Sequence, residues 1–322
     1  MQISLNYEDG RMEDISEQEI EVAAGYYIKN FWFMIFRTME RRSFEVAFIL
    51  TIAVLRKLFR LYPYYSKAER DVITHTLIYR EDPSGITIHD GNNIMRFECS
   101  FLYDLNLMAV LVVEIVASNQ YNLTDENTKG KVFIDAGANI GVFSIYAAMR
   151  GAKKVYAFEP SGVNFNIMKR NIERSGLGKI IVPINKGLGN KNKKMPLHCD
   201  FKNMCWSSIS NPSKGCSIVE DITITTLDSF MQGKRDTIGF IKMDTEGYEE
   251  NILLGAKRTI QKDEPVLSFS AYHKPDDKTR LPEVLHEIDE KYSCRLLHRA
   301  ELDFYCEHIK EEKLKIQFGS VQ

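Results

Sequence analysis

"KVFIDAGANIGVFSIYAAMRGAKKVYAFEP", Lys131–Pro160, decides how the rest of the 322-residue chain is read. Apolar residues run into Asp135, a turn of small residues follows, and a second short apolar run ends in Glu159. Between them "VFSIYAAMR" has the length and spacing of a helix. The informative residues stand just past each strand, because an open α/β sheet binds its ligands outside the carboxyl ends of its strands. Gly137 and Gly141 let backbone approach a ligand across the turn. Glu159 can accept hydrogen bonds from both hydroxyls of a ribose, which points to an adenosine-containing cofactor.

The turn narrows the choice of cofactor. A dinucleotide site needs Gly-x-Gly-x-x-Gly, with backbone amides presented to a pyrophosphate. Counting from Gly137 gives Gly-Ala-Asn-Ile-Gly, with Asn139 where the middle glycine belongs. Asp135, just before the turn, would repel a pyrophosphate. The same carboxylate suits S-adenosylmethionine, which carries an ammonium and a sulfonium and no phosphate. The expected cofactor-binding set is Asp135, Gly137, Ala138, Asn139, Gly141, Glu159 and Pro160. Asn185 ends the third strand, placed either to reach the adenine or to close a turn. Two other readings stay open: an NAD-dependent oxidoreductase, and a nucleoside-binding scaffold without turnover.

Outward from this unit the rhythm of strand, turn and helix repeats. Strand "KVYAFE" leads to helix "NFNIMKRNIERSG", stopped at Gly176, and strand "IIVPIN" follows. An irregular insert spans Lys191 to Val219. "TIGFIKMD" leads to helix "YEENILLGAKRTIQ", and "PVLSFSAY" to helix "LPEVLHEIDEKY". Strands "SCRLLH" and "DFYCEHI" close the pattern. Such alternation predicts an α/β fold, a mostly parallel sheet with helices on both faces. Upstream the pattern differs. Ser16-Glu17-Gln18-Glu19 reads as a capping box opening a helix toward Arg41. Ser43 caps a second helix that stops before Pro63. "HTLIYRE", "GITIHDG" and "NIMRFECS" read as a small β-meander, and Leu102–Ala117 is apolar and helix-length. The expected organisation is an accessory region over 1–120 and a catalytic domain over 121–322.

Composition bounds the partners. With 42 basic and 44 acidic residues the net charge is −2, which argues against nucleic acid as the main partner. The acidic N-terminus is the opposite of a secretory signal, and cytoplasmic residence is expected. "FEVAFILTIAVL", Phe44–Leu55, is too short for a membrane span. It reads as a buried core helix, membrane contact through 44–61 being the alternative. None of the six cysteines has Cys-x-x-Cys spacing, so reduced, buried thiols are expected rather than disulfides or zinc.

"FIDAGANIGVFSIYAA", "VYAFEPSGVNFNIMKRNI", "ITITTLDSF" and "IGFIKMDTEGYEENILLGA" resemble the FkbM family of S-adenosylmethionine-dependent methyltransferases. The resemblance covers about Lys131 to Ile309. It implies the Rossmann-like fold of class I methyltransferases, with a seven-stranded sheet whose last strand is antiparallel. It also implies O-methyl transfer to a hydroxyl, and cofactor contacts at Asp135, Gly137, Asn139, Gly141 and Glu159. The acceptor would be a small molecule or a glycan.

Methyl transfer is an in-line displacement, so positioning supplies much of the acceleration, and a base must take the acceptor's proton. Asp244, Glu246 and His273, at the ends of the fourth and fifth strands, are the catalytic candidates. His273 has a native pKa suited to base work; its alternative is a surface loop histidine. Asp244 with Glu246, Asp276 or Asp277 has the oxygen chemistry of a divalent-cation site, but surface acids are common and no metal is expected. Phe201, Met204 and Trp206 in the insert would wall the acceptor or pack over the sheet edge.

Overall fold

The apolar runs of the opening stretch become the centre of a seven-stranded sheet. The computed structural model describes residues 3–6, 12–15, 76–82, 85–90, 93–98, 111, 113–117, 119–199, 207–208, 218–298 and 302–309. The chain divides into two units, Met1–Tyr62 and Pro63–Gln322. In the first, β1 (Ile3–Asn6) and β2 (Met12–Ile15) pair antiparallel. The helical hairpin expected between Ser16 and Pro63, with the apolar segment 44–61, lies outside the described residues. Among the described residues no helix is long and apolar enough to cross a membrane.

The second unit begins with the expected meander: β3 (Thr76–Asp82), β4 (Gly85–Asp90) and β5 (Asn93–Glu98), all antiparallel. A π-helical turn, Val113–Ala117, and a short helix α1 (Asp125–Thr128) lead to β6 (Val132–Ala136). Then come α2 (Val142–Met149), β7 (Lys154–Phe158), α3 (Gly162–Arg174), β8 (Ile181–Ile184) and β9 (Gly187–Leu188). The meander docks on the end of α3, where Arg96 N donates to Ser175 Oγ (3.3 Å) and that hydroxyl donates to Arg96 O (3.1 Å).

The region read as an irregular insert is partly a second sheet. β10 (Lys193–Cys199) pairs antiparallel with β11 (Ser207–Ser208) and β12 (Ile218–Thr225), and β12 runs parallel to β9. The strand was hidden because its outward side is Lys194, Pro196 and His198, while Met195 and Leu197 carry the inward side against Ile222 and Ile224. Among the described residues β11 pairs only with His198 and Cys199, so no described strand lies beside Pro196 on that side, the setting in which a strand tolerates proline. From β12, Glu220 accepts from Gly162 N (3.0 Å) and so caps α3. Phe201, Met204 and Trp206 lie outside the described residues.

After α4 (Leu227–Met231) the main sheet resumes with β13 (Ile238–Met243), α5 (Glu249–Gly255), α6 (Lys257–Asp263) and β14 (Val266–Ser270). It ends with α7 (Asp277–Ile288), β15 (Tyr292–His298) and β16 (Leu302–His308). The single helix expected over 248–261 breaks at Ala256. A Cβ on Gly255 would stand 1.9 Å from the carbonyl oxygen of Gly189, so that strand end crowds the helix where it turns. α7 starts earlier than expected because the Asp277 carboxylate folds back to accept from Lys274 N (2.7 Å).

The order of the main sheet is β15-β16-β14-β13-β6-β7-β8, and only β16 runs against the rest. This is the seven-stranded, mostly parallel sheet with an antiparallel last strand that the resemblance implies. One face is an aliphatic core, in which Ile134, Ile241 and Leu267 join Ile252, Leu253 and Leu285 from the helices. The other carries aromatics. Phe133 stacks on Phe240 (centroids 4.8 Å apart), and Phe143 from α2 meets Tyr121 edge to face (5.1 Å). Strand order reverses between β6 and β13, and the turns after those strands open at that switch point.

Reduced thiols were expected, but Cys294 and Cys306 form a disulfide. The two face each other across the antiparallel β15–β16 pair, with Cα atoms 4.1 Å apart. No spacing rule could reveal this, since strand register alone brings them together. Non-reducing peptide mapping is expected to recover these two cysteines as one linked peptide. Free alkylation of both would contradict the assignment.

Candidate functional site

The cleft at the switch point is lined by the Gly137–Ile140 turn, Glu159 and Pro160, and Asp244–Glu246. Tyr121, Leu188, Leu197 and Lys242 are among the other residues of its walls. Its empty space, open mouth included, is about 900 Å³.

The turn is built for close approach. Gly137 has φ 73°, and a Cβ there would lie 2.0 Å from the backbone oxygen of Asp244, so only glycine fits. Asn139 (φ 52°) and Glu246 (φ 54°) are left-handed without being glycine, and both line the cleft. Such backbone persists where the surroundings enforce it, often at functional sites. For Asn139 the enforcement is visible: its N–H donates to Glu159 Oε2 (2.8 Å), while Ser161 N donates to Oε1 (2.9 Å). Burial pushes the Glu159 carboxyl up to about 7, against the pull of those two amides and of Lys242.

Asp135 differs from expectation. Its carboxylate is fully buried and does not line the cleft. It accepts from Ser144 Oγ (2.6 Å) and pairs with Lys242 Nζ at 3.1 Å. The two are register partners on β6 and β13, so the pair bridges the sheet's central strands. Lys242 also donates to Gly137 O (2.8 Å) and lies under the rings of Tyr121 and Phe143. Asp135 therefore acts on the turn through Lys242 and leaves no charge free for a cationic ligand. Asn185 takes the turn role. Its amide donates to the carbonyl oxygens of Glu159 and Pro160 (both 3.0 Å), bracing the strand end. Gly141 (φ 89°) ends the turn as the residue before α2.

The three catalytic candidates do converge. His273 Nε2 lies 3.5 Å from Asp244 Oδ1 and 3.6 Å from Glu246 Oε2, and Nδ1 lies 3.2 Å from Glu249 Oε1. Asp244 and Glu246 line the cleft, whereas His273 is only 7% exposed and sits behind them. Burial disfavours a charged imidazole, but the Glu249 contact and the Asp244 and Glu246 charges outweigh it and push His273 up to about 9. Burial, followed by the Asp244 charge, pushes Glu246 up to about 7. The surface-loop and free-base readings of His273 both give way to a buried ring enclosed by carboxylates.

Three residues escaped the sequence reading. Lys242 left a signal, a lone charge inside the apolar strand "IGFIKM". Glu249 stands in the first turn of α5, where a carboxylate commonly serves the helix dipole, yet its side chain folds back to accept from Thr245 N (2.7 Å) and Thr245 Oγ1 (3.0 Å). Tyr121, whose hydroxyl donates to Asp244 Oδ2 (2.9 Å), comes from a stretch with no motif.

The family model described as "Methyltransferase FkbM domain" matches residues 135–296, half of the chain. A fungal protein, "Methyltransferase sdnD" of Sordaria araneosa, is 26% identical over 194 residues, covering 50% of this chain and 70% of its own length. "Protein arginine N-methyltransferase 6" of Danio rerio is 29% identical over 101 residues, and the match spans 30% of this chain and 24% of that protein. The solved methyltransferase FkbM from Methylobacillus flagellatus KT aligns with a TM-score of 0.43 at 18% identity, covering 79% of this chain and 60% of that one.

Replacing Lys242 with Met leaves Asp135 buried and unpaired, and is expected to lower stability by about 3–5 kcal/mol in denaturant titration. Unchanged stability would show that the pair does not hold the strands.

Proposed function

This chain belongs to the FkbM methyltransferase family, and from that premise we propose that it moves a methyl group from S-adenosylmethionine to a hydroxyl oxygen of a small molecule or glycan. The observation that carries the reading is Glu159. Its carboxylate closes one end of the phosphate-free turn, held by two backbone amides, with lone pairs left for the two hydroxyls of a ribose. Gly137, Ala138 and Asn139 then lie against the nucleoside, and Pro160 borders it. The reacting methyl would face the Asp244–Glu246 side of the cleft.

Displacement at that methyl forms a bond from the acceptor oxygen to carbon as the carbon–sulfur bond breaks and the pair returns to sulfur. The acceptor hydroxyl loses its proton, and Asp244 and Glu246 are the carboxylates that reach the cleft to take it. Tyr121 holds one oxygen of Asp244 and leaves the other facing His273. His273 acts from behind as a positioning residue, since its ring does not line the cleft.

Calorimetry with S-adenosylmethionine and adenosylhomocysteine tests the donor. Glu159→Gln is expected to cost about 1.5–3 kcal/mol, roughly ten- to a hundredfold in affinity. An unaltered Kd would remove Glu159 from the site. Because Glu159 titrates near 7 and the ionised form accepts the ribose protons, wild-type affinity should be constant above pH 8. It should fall by up to about tenfold per unit below 7. Asp135 and Lys242 are the charges that bear on this group. A flat profile, or the same profile in Glu159→Gln, would assign the titration elsewhere. A mass-shift screen of hydroxylated acceptors, scored for a gained methyl, tests the second substrate.

A further inference from the structure

We propose that Asp244, Glu249 and His273 form a divalent-cation site beside the cleft, suited to a first-row divalent ion such as Mn²⁺. The inference rests on the methyl-transfer reading above for the ion's use, though not for its binding. Each residue offers one ligand atom, and the three atoms lie within 4.8 Å of one another. An ion about 2.0–2.2 Å from each donor places neighbouring ligands roughly 3.0–3.5 Å apart. His273 meets Asp244 through Nε2 (3.5 Å) and Glu249 through Nδ1 (3.2 Å); one ion takes a single ring nitrogen, so loading draws the second carboxylate in from within 4.8 Å.

A second observation singles this cluster out from ordinary acidic patches. The His273 side chain is 7% exposed, and both ring nitrogens are buried without a hydrogen-bond partner, aimed at the carboxylates around them. A buried imidazole so placed is costly unless something else satisfies it. Among the described residues, the ion pairs of Asp244 and Glu249 are with His273 alone. A cation between them would offset the surplus negative charge that these two share with Glu246.

Two of the three donors are already braced by outer hydrogen bonds. Asp244 follows β13 and is held by Tyr121. Glu249 opens α5, its oxygen held by Thr245. His273 follows β14. Ligands braced by outer hydrogen bonds in this way bind metal more tightly. One nitrogen with two oxygens favours Mn²⁺, Fe²⁺ or Zn²⁺ over the harder Ca²⁺. Three protein ligands leave positions open, and Asp244 borders the cleft, so an acceptor oxygen can complete the shell. A hydroxyl bound there loses its proton more readily, and with Asp244 engaged as a ligand the proton passes to Glu246, the other carboxylate of the cleft. Its oxygen then attacks the methyl as the carbon–sulfur bond breaks. An acceptor with two adjacent oxygens would bind best.

The test uses chelator-stripped full-length protein titrated with MnCl₂, free Mn²⁺ being read by electron paramagnetic resonance with no nucleoside present. One saturable site per chain is expected, weakened more than about tenfold in Asp244→Asn, Glu249→Gln and His273→Asn and unchanged in Glu159→Gln. Asp244→Asn, at a partly exposed position, keeps the test decisive if a buried variant misfolds. No saturable uptake, or uptake indifferent to all three substitutions, overturns the site. Nucleoside binding without Mn²⁺ uptake sinks this inference alone; uptake without nucleoside binding sinks the donor reading alone.

Discussion

A lysine and an aspartate buried side by side in the two central strands hold this architecture together. Ion pairs placed so deeply contribute little net stability against an apolar substitute, because both charges lose their water. Their value here is directional. Lys242 spends one contact on Asp135 and another on the carbonyl of Gly137, so the charge that joins the strands also fixes the turn above them. The aromatic rings of Tyr121 and Phe143 keep water from the ammonium. Asp135 therefore shapes, through Lys242, the loop that lines the cleft.

From that anchor the two sides of the cleft follow. Toward β7, Glu159 is tied to Asn139 and Ser161, and Asn185 braces the same strand end from β8. Toward β13 and β14, Asp244, Glu246 and Glu249 gather within ion-pair distance of His273. One side presents a single carboxylate, to a nucleoside in the proposed reading. The other concentrates acidic groups, where that reading has the acceptor oriented and deprotonated. The division matches what methyl transfer demands, a gripped donor and a polarised acceptor meeting in line.

The central α/β unit was legible because parallel strands buried on both faces read as unbroken apolar runs, and because glycines mark the turn. Tertiary relations were not. Asp135 and Lys242 are neighbours only through the β6–β13 register, and Cys294 and Cys306 only through that of β15 and β16. β10 escaped because lysines and a proline on its outward side mask the alternation of Met195 and Leu197. The break at Ala256 needed the carbonyl of Gly189, which no local pattern announces. In the site, the positions of Glu159, Gly137 and Asn139 could be read. The enclosure of His273 by Glu249 could not, since it depends on a helix start folding back across a strand end.

The most direct measurement is a crystal structure of the protein grown with adenosylhomocysteine. The account requires nucleoside density over the 137–141 turn, with both ribose oxygens within hydrogen-bond distance of Glu159 and the sulfur directed toward Asp244. Density elsewhere on the sheet, or a ribose that leaves Glu159 untouched, would contradict it.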